Sequence, residues 1–148
     1  MTMEPHSLRS NVFAYIKDAY GVQPDYPWAR YPDYAVFRHQ SNRKWFALIM
    51  RIPKSKLGLP DEAPADVLNL KLESALAVDF LTPEPGFFPG YHISRGSWIS
   101  VLLDGTVPPE RIFPLIDQSF AVTAVKPKKK QNTGAERKPN KKETEQPL

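Results

Sequence analysis

The chain has 148 residues, 41% hydrophobic and 24% charged, the composition of one ordinary globular domain rather than of a disordered, fibrous or membrane-embedded protein. Its formal net charge is +4 and it has no cysteine, which excludes disulfides, thiolate metal sites and a cysteine nucleophile. Met1 to Arg9 contain no apolar targeting segment and no run approaches the roughly 18 apolar residues of a membrane span, so the expectation is a soluble cytoplasmic protein.

In chain order, the first element predicted is a helix from about Ser7 to Tyr20, with Leu8, Val12, Ile16 and Ala19 along one stripe and Gly21 as its stop. Residues 22–33 hold three prolines and three aromatics in twelve positions, which favours an extended, packed loop anchored by Trp28. Two β-branched and aromatic runs, YAVFRHQ and KWFALIMRI, flank the polar Ser41-Asn42-Arg43 and predict a β-hairpin. The second run is continuously apolar and is expected to lie centrally, covered by helix on at least one face. Beyond a loop, Val67 to Leu72 alternates, predicting a third strand with Leu68, Leu70 and Leu72 inward and Asn69 and Lys71 outward.

Glu73 to Leu81 reads as a short helix closed by prolines, and PGFFPGYHISRGSW leads into a strand from Trp98 to Leu103 that Asp104-Gly105 ends. A last helix begins at Pro108, with Ile112, Leu115, Ile116 and Phe120 at helical spacing and Pro114 resetting or kinking its first turns. A short strand over Phe120 to Val125 is an added expectation. The predicted class is therefore α+β and two-layered, with an antiparallel sheet of about five strands, helices packed on one face, and the order α-β-β-β-α-β-β-α or a close variant.

The domain is placed at 1–125 and a lysine-rich tail at 126–148. The tail carries eight basic against three acidic residues, net +5, whereas residues 1–125 carry twelve against thirteen, net −1. Its composition, with almost no apolar residue, predicts disorder. It is either a solvating extension or a phosphate-seeking arm through Lys128, Lys129 and Lys130.

The succession KWFALI, NLK, PGYHISRGSWISVLLDGTVPPERI and LIDQSFAV resembles the MmcQ/YjbR family over residues 7–125. Its most specific part is Gly90-Tyr91-His92, followed six residues later by Trp98 and then Leu103-Asp104-Gly105. The resemblance implies a two-layer fold also found in type III secretion chaperones, and a DNA-binding role with a double-wing arrangement. Many members have a basic, bulky pair just before the tryptophan. This chain has Gly96-Ser97 there, which removes positive charge.

On the DNA reading, Arg43, Lys44, Lys54, Lys56, Lys71 and Arg95 are the candidate phosphate contacts, with hairpin tips as wings. Tyr91, His92, Arg95 and Trp98 form a second candidate, a loop where a tryptophan could stack on a base and a histidine could meet an anion. The competing reading makes that loop a cap on the core edge. Asp61-Glu62 and Glu84 read as solvated turn residues, and His6, His39 and His92 lack metal-ligand spacing. No catalytic motif is present, so a non-enzymatic protein without cofactor or metal is expected, monomeric and off the membrane, with DNA as partner. The alternative is a protein- or peptide-binding module presenting Phe87 and Phe88.

Overall fold

The first helix, α1 (Pro5–Tyr20), buries Leu8, Val12 and Ile16, while Ala19 at the flank of that stripe is exposed. Gly21 ends it at φ 67°, donating its N–H to the Lys17 carbonyl at 2.8 Å; a left-handed residue there favours glycine. The computed structural model describes residues 5–91, 93 and 96–124. His92, Arg95 and the whole of 126–148, with Lys128, Lys129 and Lys130, lie outside them. None of the helices among the described residues is long and apolar enough to cross a membrane.

Among the described residues five strands follow: β1 (Ala35–Arg38), β2 (Trp45–Pro53), β3 (Pro64–Lys71), β4 (Phe87–Pro89) and β5 (Trp98–Leu102). They form one antiparallel sheet in the order β1-β2-β3-β5-β4, with α2 (Ala75–Leu81) between β3 and β4 and α3 (Pro109–Thr123) last. The element order matches the sequence expectation. The anticipated strand over 120–125 is instead the end of α3, which runs unbroken past Pro114 to Thr123. Pro114 sits on the exposed side, where its missing N–H is a small loss. A short 3-10 turn, Lys54–Leu57, connects β2 and β3.

The sheet is buried on both faces, which explains why all six residues from Trp45 to Met50 are inaccessible. One face packs α1, α2 and α3 over Phe37, Phe46, Ile49, Leu68, Leu70 and Ile99. The other holds Val36, Leu48, Met50, Val67, Trp98 and Leu102 under a roof of loop and turn residues, chiefly Trp28, Leu57, Leu59 and Tyr91, with Phe88 of β4 packed at its edge. Asn69, expected to face water, lies under that roof with no exposure. It accepts a short hydrogen bond from Ser100 Oγ, which in turn accepts from the Tyr91 amide at 2.9 Å. A buried amide costs stability unless it is paired, and these bonds pair it while fastening the loop to the sheet.

Both sheet edges are closed to strand addition. Val36 exchanges two backbone hydrogen bonds with Asp25, at 2.8 and 2.9 Å, which covers β1. On β4 the Phe87 N–H is taken by the Glu84 carbonyl and Pro89 has none to offer.

Candidate nucleic-acid interface

Antiparallel pairing sorts the candidate residues between two ends of the sheet. At one end lie the β1–β2 turn with Arg43 and Lys44, the last residue of β3, Lys71, and the first of β5, Trp98. Tyr91 joins them because the Gly90 amide bonds the Trp98 carbonyl at 3.0 Å. Lys54 and Lys56 lie beyond the far end of β2. That strand has nine residues, and eight steps of about 3.4 Å put the two groups about 27 Å apart. They do not form one patch.

Local chemistry separates them further. Lys54 is held between Asp61 at 3.7 Å and Asp104 at 3.8 Å, and it lines a surface cleft of ≈ 640 Å³ with Phe87 and Leu102. Its charge is compensated twice. Lys56 is exposed on the 3-10 turn, with no carboxylate at ion-pair distance among the described residues. Lys71, expected on an outward face, is half-buried; its Nζ is 3.0 Å from Ser97 Oγ and 5.9 Å from the centre of the Trp98 ring. Trp98 itself is 5% exposed, so it serves the core and presents no face to a base. Tyr91 is half-buried against the same core. Trp98 and Tyr91, the members of this loop candidate that are described, both pack on the core edge.

Arg43 and Lys44 remain exposed on a turn with unusual support. Arg43 adopts φ 64°, and the Asn42 side chain accepts the Lys44 amide at 2.8 Å. Asn42 Nδ2 donates to the Thr123 carbonyl at 2.9 Å, joining the turn to the last residue of α3. His39 Nε2 lies 2.8 Å from Thr123 Oγ1, whose own proton goes to the Ser119 carbonyl at 2.7 Å, so the imidazole is the donor. Ser119 Oγ donates to Phe46 O at 2.5 Å and accepts the Lys71 amide at 2.9 Å. Burial lowers the His39 pKa, opposed by a hydrogen bond to the Phe120 backbone and aided by the nearby Lys44 charge. Burial thus favours the neutral imidazole. Sequence reasoning missed this ladder, because a lone His, Asn, Ser and Thr spread over 85 positions carry no local periodicity.

The remaining cations are largely engaged within the fold. Asp66, 1% exposed, takes Arg9 at 3.0 Å and Arg51 at 3.4 Å. Asp25 takes Arg38 at 2.8 Å and Arg43 at 3.9 Å, and Glu84 takes Arg111 at 2.8 Å. A carboxylate as buried as Asp66 is tolerable only with such partners. Among the described residues no cluster of three His, Asp or Glu could hold a metal ion.

A family model described as YjbR matches residues 17–122. The uncharacterized Bacillus subtilis (strain 168) protein YyaQ is 44% identical over 115 residues, spanning 78% of this chain and 97% of that protein. A Pseudomonas syringae protein is similar in two solved structures. Its crystal structure has TM-score 0.76 and 41% identity, covering 78% of this chain and 98% of that one. Its solution NMR structure has TM-score 0.74 and 39% identity, covering 84% and 98%. A Deinococcus radiodurans protein, at 21% identity, TM-score 0.56 and coverage of 77% and 76%, shares the fold.

Proposed function

This chain belongs to the YjbR family, and we propose that it is a non-enzymatic DNA-binding module working from one end of its sheet. The observation that carries the reading is the Asn42–Thr123 bond, with His39 beside it. These bonds bring the end of α3 to the turn bearing Arg43 and Lys44. The lysine-rich segment continues from that point: Lys126 follows Ala124 by two residues, about 7 Å of chain at most. The turn therefore stands beside the end of α3 from which the lysine-rich segment departs, although residues 1–125 carry a net charge of −1. Phosphate neutralisation by lysine and arginine provides most sequence-independent affinity for DNA.

The reading is tested on the full chain by titrating a labelled duplex over a salt series. Replacing Lys128, Lys129 and Lys130 with Gln should flatten the log–log salt slope by up to about 2.7, and Arg43→Gln with Lys44→Gln by up to about 1.8, at roughly 0.9 per phosphate contact. Lys54→Gln and Lys56→Gln, at the other end, should leave the slope unchanged. Equal effects from the two ends would remove the end-specific reading, and binding no stronger than that of a neutral control protein would remove DNA altogether.

A further inference from the structure

The helix α2 has seven residues, ALAVDFL, and all but Asp79 are apolar. It buries Val78 and leans Ala77 and Leu81 on the helix-side core, which occupies one side. On the other side Leu76 is 68% and Phe80 75% exposed, the two most exposed large hydrophobic side chains among the described residues. Their i, i+4 spacing sets them side by side as one ridge. A helix apolar on both faces is ordinarily covered on both. Phe87 and Phe88, which the sequence nominated for a docking surface, are buried and half-buried, so the ridge stands in their place.

The charges around the ridge decide what covers it. Glu73 and Asp79 are exposed, three residues before and after Leu76, and have no ion-pair partner among the described residues. A second copy of the chain would bring the same carboxylates against each other. It would also need about 800 Å² per partner for a stable interface, more than two side chains on a short helix supply. The lysine-rich segment of this chain has the right charge, but between Lys126 and Leu148 its only apolar side chains are Ala135 and Leu148. A basic, amphipathic partner satisfies both requirements, with apolar residues to cover Leu76 and Phe80 and lysines or arginines to face Glu73 and Asp79.

We infer that the exposed ridge of α2 is a docking site for a cationic amphipathic helix of another protein. The helix α2 contains none of the cations of the proposed DNA-binding end. The test uses the isotopically labelled full chain and a Leu/Lys helical peptide of about 18 residues, with a Leu/Glu peptide of the same apolar pattern as its counterpart. The Leu/Lys peptide should shift amide resonances of 73–82, and Leu76→Ala or Phe80→Ala should weaken it roughly tenfold or more. Both side chains are already in water, so the variants keep the fold, checked by unchanged resonance dispersion elsewhere. Glu73→Gln with Asp79→Asn should reduce the salt dependence of binding. Absence of binding, shifts away from α2, equal binding of the Leu/Glu peptide, or a Phe80-dependent dimer in sedimentation would each overturn the proposal.

Discussion

The two faces of the sheet are buried to similar depth by different means. The helix side is covered by regular elements whose apolar residues recur at helical spacing, such as Leu8, Val12 and Ile16 in α1 and Ile112 and Ile116 in α3. Aromatic pairs tie these helices together: Tyr15 stacks on Phe113 at 4.2 Å and Tyr20 on Phe120 at 3.8 Å, while both tyrosines donate to Asp117. Among the described residues the opposite side has no α-helix. Trp28 crosses it to meet Tyr34 and Trp45 at 6.0 and 5.7 Å, and hydrogen bonds through Ser100 fasten the Tyr91 backbone to the sheet. A roof of loops relies on a few anchors, whereas a layer of helices spreads its packing over many contacts.

The largest effect that tests this contrast is truncation at the centre of the helix side. Phe46 has no exposure and meets Phe37, Tyr20, His39 and Phe120, so Phe46→Ala should cost about 3–5 kcal/mol in urea unfolding. Trp28→Ala, half-exposed and with two aromatic partners, should cost about 1–3 kcal/mol. A larger loss at Trp28 than at Phe46 would reverse the ranking of the two faces.

A middle-sized effect is expected at Ser100. Ser100→Ala leaves Asn69 Oδ1 and the Tyr91 amide without this partner and should cost about 1–3 kcal/mol, with faster amide exchange at Tyr91 than in α1. Uniformly unchanged exchange would show that the roof does not depend on this bond.

The smallest effect is the pH dependence of His39 on the helix side. Its pKa in the fold is lowered from the ordinary histidine value of 6.5, so below that pH the unfolded chain binds a proton that the folded chain resists. The stability that neutral His39 provides is therefore complete above pH 6.5 and declines as the pH falls from 6.5 toward the folded-state pKa. His39→Gln should flatten the stability–pH profile in that window, and an unaltered slope would place the proton uptake elsewhere.

Much of the helix side was legible in the chain. The stripe of α1, the stop at Gly21, the hairpin and the apolar periodicity of α3 are local signals, because helix and strand periods are written within a dozen residues. The resemblance carried by Gly90-Tyr91-His92 and Trp98 identified the family correctly. The roof was not legible in the same way. Asn69 looked outward because alternation reports which face a residue takes, not whether a distant loop covers that face. Phe87 looked available because a strand of three residues between prolines gives almost no pattern.

The candidate site divides along the same line. The residue types for a DNA contact were all visible, and so was the concentration of lysines after Val125. Only the tertiary structure decided that Lys54 and Lys56 stand at the opposite end from Arg43 and Lys44, that Trp98 belongs to the core, and that Leu76 and Phe80 are in water. The physical reason is range. Composition and periodicity act between neighbours along the chain, whereas burial and charge compensation depend on partners as far apart as Asn42 and Thr123, which only folding brings together.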